Sequence, residues 1–194
     1  MIIYAGIDEA GRGPLAGPVT AACVVLPEGY QNDSIKDSKK LSAVRREKLF
    51  DLIINDSIFF SIVSVGPRRI EQLNIRNATR QAMELCAFRV ESQLRKKFPD
   101  ATVKFLVDGD MPLSSPWLSE AIVKGDSKVK SISAASILAK VSRDRIMQVL
   151  DKKFPQYGFS KHKGYPTSAH REAVKLVGPS RVHRRSFGGV SEYC

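Results

Sequence analysis

A chain of 194 residues with 43% hydrophobic and 26% charged residues falls within the ordinary size of one globular domain and holds enough apolar material for a continuous core. It has no run of about eighteen apolar residues that would cross a bilayer as a helix, and the opening MIIYAGIDEAG has no basic segment of the kind that starts a signal peptide, so a cytosolic protein with no membrane partner is expected. The net charge of +11 is unevenly spread, with 17 Lys and Arg against 16 Asp and Glu in residues 1–126 but 14 against 4 in residues 127–194. A basic segment beside an acidic one suits a polyanion, foremost nucleic acid, held by one part of the protein and acted on by another; solubility charge is the plainer alternative.

In chain order, residues 2–8 are short, apolar and β-branched and run into Gly11, Gly13 and Pro14, the pattern of a buried strand ending in a turn. Residues 19–26 read as a second strand. Ser42 is placed to cap a helix through about residue 55, residues 58–65 form a third strand, and residues 74–97 keep helical periodicity. A fourth strand, residues 103–107, closes on Asp108-Gly109. The apolar stretch 121–123 precedes Gly125-Asp126, a helix covers about residues 131–150, and another follows a Thr167 cap. Interleaved strands and helices indicate an α/β layered domain. Residues 154–166 read as a loop leading into a C-terminal part.

Asp8-Glu9, Asp108 and Asp126 each follow a short apolar stretch with glycine within three residues. Neighbouring strand ends in an α/β sheet would bring such residues into one crevice. Carboxylates gathered there repel unless cations neutralise them, and all-oxygen ligands suit Mg²⁺ or Mn²⁺ rather than zinc. Capping or turn formation explains any one of these acids taken singly. Because strand side chains alternate, Glu9 joins Asp8 only if the chain turns there. Asp108 is preferred to Asp110 because the apolar run ends on it, and Asp37 reads as a turn residue.

Residues 11–17 lack the Lys-Ser/Thr ending of a P-loop, and Ala16 stands where a dinucleotide fingerprint has its third glycine. The loop suits close backbone approach to a sugar or phosphate, or simply a tight turn. Ser133, Ser136, Lys140 and Arg143 share a narrow helical arc opposite Ala134, Ile137, Leu138 and Val141, either a phosphate-holding stripe or a solvated face. Lys161-His162-Lys163-Gly164-Tyr165 mixes cations with an aromatic ring suited to stacking. His162, His170 and His183 lack ligand spacing. Cys23, Cys86 and Cys194 form neither a zinc pattern nor a disulfide framework; the first two lie in apolar runs and read as core residues.

Taken together, Gly6-Ile7-Asp8-Glu9-Ala10-Gly11-Arg12-Gly13-Pro14, Asp37-Ser38-Lys39-Lys40-Leu41, Val107-Asp108-Gly109, Lys124-Gly125-Asp126, residues 133–141 and His162-Lys163-Gly164-Tyr165-Pro166-Thr167 resemble the bacterial ribonuclease HII family, with matching order and spacing as far as His183-Arg184-Arg185-Ser186-Phe187. The type 3 relatives carry Ser-Gly-Lys-Gly after the Asp-Glu pair and an extra N-terminal domain, whereas this chain has Ala10-Gly11-Arg12-Gly13. The resemblance implies an RNase H-like fold, a central mixed sheet flanked by helices with a small C-terminal helical part at about residues 154–194 that helps hold substrate. It implies Asp8, Glu9, Asp108 and Asp126 as active-site acids and metal ligands, contact of Gly11, Arg12 and Gly13 with a ribonucleotide 2′-hydroxyl, and stacking of Tyr165 on the sugar at an RNA–DNA junction. Lys39, Ser136, Lys140 and Arg143 are assigned to phosphate contact.

The implied activity is hydrolysis of RNA in RNA/DNA hybrids and cleavage 5′ of single ribonucleotides in duplex DNA, leaving 3′-hydroxyl and 5′-phosphate ends. Two divalent ions roughly 4 Å apart would activate water and stabilise the leaving oxygen, in a monomeric enzyme. A noncatalytic nucleic-acid binder and another RNase H-like nuclease, such as a junction resolvase, are the alternatives. Acids that repel phosphate disfavour the first, and the glycine loop with Tyr165 disfavours the second.

Overall fold

The structure is a computed structural model that describes residues 1–35 and 41–194. Five strands form one mixed sheet in the order β3-β2-β1-β4-β5: β1 (Ile2–Ala10), β2 (Val19–Val25), β3 (Phe59–Val65), β4 (Thr102–Asp108) and β5 (Ser119–Ile122). β2 runs antiparallel to both β1 and β3, whereas β1, β4 and β5 are parallel. The meander β1-β2-β3 needs only short connections. The parallel return from β3 to β4 needs a crossover, supplied by helix α2 (Pro67–Lys97).

Every residue of β2 is buried, as a strand covered on both faces requires. Its alternation sends Val19, Ala21, Cys23 and Val25 toward α2, where they meet Ala82, Met83, Cys86 and Val90. Ala22 and Val24 point the other way, into a second cluster with Phe50 and Ile53 of α1 (Ala43–Asp56) and Ala134, Ile137 and Leu138 of α4 (Lys130–Lys153). The result is a helix–sheet–helix sandwich, the α/β architecture expected from the interleaved pattern. Burial pushes the Cys86 thiol up to about 12 and raises that of Cys23, so both stay protonated core residues.

The element boundaries depart from the sequence reading in informative places. Strand β1 continues through Ala10, two residues past Asp8. Helix α2 starts at Pro67 and is broken at Asn74 (φ 65°, ψ 164°), whose side-chain oxygen accepts from the Asn77 amide at 3.0 Å. The expected start at residue 74 is therefore the cap of the longer piece, and the turn built on Gly66-Pro67 precedes it. The loop expected at 154–166 holds a 3-10 turn (Pro155–Tyr157) and helix α5 (Phe159–His162). With α6 (Ser168–Val177), capped by Thr167, these surround a small third core of Ala16, Met147, Tyr157, Phe159 and Val174. Among the described residues no helix is long and apolar enough to cross a membrane.

One contact fixes the layer spacing where it matters. A Cβ placed on Gly6 would stand 2.2 Å from the Ser131 carbonyl carbon and 2.3 Å from the Ile132 nitrogen. Backbone thus lies on backbone, and the first turn of α4 is pressed against the middle of β1, just before Asp8.

Candidate active site

Strands β1 and β4 are adjacent and parallel, with Ile7 opposite Val107, so Asp8 and Asp108 follow as neighbours at the same end of the sheet. Asp126 arrives from a different direction, in the short helix α3 (Gly125–Lys128) that follows β5. Asp108 helps to bring it in: its Oδ1 accepts the amides of Gly125 at 2.7 Å and Asp126 at 3.4 Å. One carboxylate oxygen from each of Asp8, Asp108 and Asp126 lies within 4.8 Å of the others. Asp8 and Asp126 are buried, and Asp108 is partly exposed.

Charge repulsion at this cluster is visible in Asp8. Burial first, then the charges of Glu9 and Asp108, raise its pKa well above the usual carboxylate range, while a hydrogen bond from Ser136 opposes the shift. The Glu9 amide also donates to Asp8 Oδ1 at 2.7 Å. Glu9 is not among the three converging carboxylates, because β1 runs on through Ala10 without the turn that would bring it in with Asp8; its carboxylate meets Arg12 at 3.5 Å, and burial raises its pKa, with Arg12 opposing and Asp108 assisting. An oxygen-only donor set of clustered carboxylates fits a hard divalent cation and gives nothing that would select zinc.

Arg12 leads from the acids into the glycine loop. The loop is fastened by two buried arginines. Arg143 Nε donates to the Pro18 carbonyl at 2.9 Å, Nη2 to Ala16 at 3.2 Å, and Nη1 across to Lys163 at 2.9 Å. Arg184 Nη2 donates to Gly11 at 2.6 Å, Nη1 to Arg12 at 2.8 Å and Nε to Gly17 at 3.1 Å. Gly11 has φ +96°, and a Cβ there would fall 2.0 Å from Arg143 Nε, so only glycine allows the guanidinium to lie under the turn. Backbone bonds from Leu15 to the Gly164 carbonyl and from Arg184 to the Leu15 carbonyl, both 2.8 Å, join the loop to the C-terminal part.

Those bonds bring Tyr165 to the loop. Its ring lies 4.0 Å from where a Gly13 Cβ would stand, is 41% exposed, and has Lys140 Nζ 5.9 Å and Arg143 Cζ 5.8 Å from its centroid. Arg12, Gly13 and Tyr165 therefore lie together on the surface, with Gly11 buried beneath them, and the Arg12–Glu9 pair links this surface to the acids.

The helical arc on α4 serves differently from the expected phosphate stripe. Ser133 is buried and donates to the Ile35 carbonyl. Ser136 is buried against Asp8. Arg143 is 1% exposed, so it holds the loop rather than reaching phosphate. Lys140 keeps partial exposure and pairs with Asp144 at 2.8 Å. The first half of α4 has no solvated face because sheet, loop and α1 enclose it. Lys39 and Asp37 lie outside the described residues. Sequence reasoning missed Arg184, His170 and His183; the Arg184 signal was present only as part of the C-terminal stretch that resembles the family.

Carboxylates converging where parallel strands end, beside a glycine loop and a ring carried by the basic C-terminal third, define a nuclease with an RNase H-like fold. The ribonuclease HII family model matches residues 5–190. Ribonuclease HII of Francisella philomiragia is 49% identical over 186 residues, 96% of each chain. Among solved structures, ribonuclease H2 from Pyrococcus horikoshii is 29% identical with a TM-score of 0.74, covering 98% of this chain and 96% of that one. RNase HII of Archaeoglobus fulgidus, solved in complex with PCNA, is 26% identical with a TM-score of 0.73 and covers 95% of both chains. The chain belongs to the ribonuclease HII family. It is a metal-dependent endoribonuclease, and the family acts on RNA/DNA hybrids.

Proposed function

We propose that the enzyme cuts on the 5′ side of a ribonucleotide, in hybrids and in DNA duplexes holding a single ribonucleotide, leaving a 3′-hydroxyl and a 5′-phosphate. The observation that carries this reading is the closeness of the Gly13 turn to the Tyr165 ring, on a loop that the Arg12–Glu9 pair links to Asp8, Asp108 and Asp126. The three aspartates, with Glu9 beside them, would hold Mg²⁺ or Mn²⁺. Two such ions, held there, would supply a water of lowered pKa and charge stabilisation for the leaving oxygen. Water adds to phosphorus and the bond to the 3′ oxygen breaks.

The chain's own groups do the selecting. The Asp108 carboxylate fixes the Gly125-Asp126 turn, and Ser136 orients Asp8. The Gly11-Arg12-Gly13 backbone contacts the 2′-hydroxyl, the group that separates RNA from DNA, while the Tyr165 face packs on the neighbouring deoxyribose. Lys39 and Lys140 are assigned to phosphate, and the surplus of 14 Lys and Arg over 4 Asp and Glu in residues 127–194 supports a C-terminal part that holds the duplex. Asp8, Asp108, Asp126, the loop and the ring all come from one chain, which supports action as a monomer.

The test compares a labelled DNA duplex containing one ribonucleotide with an RNA/DNA hybrid and an all-DNA duplex, each with Mg²⁺, Mn²⁺ or chelator. Cleavage of the first two only, 5′ of the ribonucleotide and lost with chelator, is expected. Cutting of the all-DNA duplex would sink the 2′-hydroxyl reading.

A further inference from the structure

The two halves of the proposed ribose reader are distant in sequence, and both are reached by one dipeptide. Arg184 is fully buried, and its guanidinium takes the carbonyls of Gly11, Arg12 and Gly17. In a trans peptide the C=O and the following N–H point in opposite directions. With the Gly11 and Arg12 carbonyls held by Arg184, the amides of Arg12 and Gly13 face away from it. Arg184 therefore sets which side of the loop presents its donors.

His183 reaches the other half through a second histidine. Its Nδ1 accepts from the Ser180 amide at 3.0 Å, so its proton sits on Nε2. That atom lies 3.1 Å from His170 Nε2. His170 Nδ1 lies 3.0 Å from the Tyr165 carbonyl, which can only accept, so Nδ1 carries the His170 proton and its Nε2 is the acceptor. One directed series of hydrogen bonds runs from Ser180 through His183 and His170 to the backbone of Tyr165. The rings are enclosed by Tyr157, 4.6 Å from His183, and by Phe159, 5.4 Å from His170. The backbone of the same segment pairs with the glycine loop at Ala16 and His183.

We propose that His183 and Arg184 are positioning residues that together set the spacing between the Gly11-Arg12-Gly13 turn and the Tyr165 ring, and through it the preference for a ribonucleotide next to deoxyribose. The proposal rests on the reading of that turn and ring as the ribose reader. A change at either residue releases one side of the reader while leaving the acids in place. Arg184→Lys keeps the charge and stem but replaces a three-carbonyl fork by a point donor. His183→Phe keeps a ring and breaks the relay, whereas His183→Gln retains a donor toward His170.

The experiment measures kcat/KM for a single-ribonucleotide duplex and for a continuous hybrid with wild type, Arg184→Lys, His183→Phe, His183→Gln, the Arg184→Lys/His183→Phe double variant and Tyr165→Ala, all below their melting temperatures. The ratio of the two substrates is expected to fall by about tenfold to a hundredfold in Arg184→Lys and His183→Phe, the scale of a misplacement near 1 Å. It should recover in His183→Gln and fall no further in the double variant, because either release alone frees the spacing. Equal losses on both substrates, or losses that multiply in the double variant, overturn the proposal. If Arg184→Lys does not fold, the Phe and Gln pair at His183 decides. A ratio unchanged in Tyr165→Ala overturns the underlying reader; a ratio lowered by Tyr165→Ala but unchanged in the other variants overturns only the positioning role.

Discussion

At the scale of single residues, Asp8 is held in a state that function needs and stability does not. Its raised pKa means that the native carboxylate loses its proton less readily than an unfolded one, so this group favours the fold below the ordinary carboxylate value and loses that contribution as pH rises through the native value. At neutral pH without metal, Asp8→Asn should therefore raise the melting temperature, by roughly 2–4 °C per kcal/mol of relieved charge burial and repulsion, while removing nearly all turnover. Scanning calorimetry with chelator, beside an Mg²⁺ assay, checks both halves; a melting temperature lowered at neutral pH would contradict the repulsion argument. Asp126→Asn should likewise abolish most turnover and leave duplex binding intact or tighter, measured by fluorescence anisotropy, and near wild-type turnover would remove Asp126 from the ligand set.

At the scale of elements, α4 organises the site: Ser136 reaches Asp8, Lys140 lies by the Tyr165 ring, Arg143 supports the loop and Met147 enters the C-terminal core. This helix depends on the missing side chain at Gly6. Gly6→Ala has backbone at 2.2 Å to displace, and should cost about 1–3 kcal/mol or more, seen as a lowered urea midpoint, with kcat falling because Ser136 and Asp8 separate. Wild-type stability would mean that the layers have slack. The histidine group around α6 predicts acid sensitivity. Burial, ahead of all other causes, takes His170 and His183 down to about 4, so their stabilising effect is complete above about pH 6.5 and is lost as pH falls toward 4, where the unfolded chain binds protons the native rings refuse. Melting temperatures taken across that range in an Asp8→Asn/Glu9→Gln background, where both opposing carboxylates are absent, should fall with acid, and His170→Gln should flatten the slope.

What was legible in the sequence follows the same division. Asp8, Asp108 and Asp126 stood out because each closes an apolar run beside glycine, and the sheet places such run ends together. Arg143 was misread because periodicity identifies one core face and assigns the rest to solvent, whereas the start of α4 is enclosed on every side. Arg184 and the histidine relay follow no local pattern at all. Their places are decided by carbonyls contributed from residues 11–17 and from Tyr165, and ligand spacing tests histidines only for metals.

At the scale of the whole molecule, the charge division becomes a prediction about salt. If the basic segment at residues 127–194 neutralises phosphates, log affinity for duplex should fall with log salt with a slope of about −0.9 per contact on B-DNA. Lys140→Ala should flatten it by about one unit. Because Asp144 pairs with Lys140 at 2.8 Å, Asp144→Asn should tighten binding at low salt, and unchanged slopes in both variants would return Lys140 to a surface role.

The pairing of Ala16 with His183 also has a meaning in time. A chain emerging from the ribosome can form β1, β2 and β3 early, and its three aspartates can meet once residue 126 has been made. The glycine loop, although it is among the first segments synthesised, finds Arg143 with α4 but must wait for residues 164–184 before the carbonyls of Gly11, Arg12 and Gly17 meet Arg184 and its backbone is paired. The hydrolytic centre, with Ser136 of α4 on Asp8, thus draws only on residues made before the part that chooses the substrate. Pulse-labelling hydrogen exchange during refolding should find the Ile7 amide protected in an earlier phase than Gly17, whose amide bonds to the Val182 carbonyl.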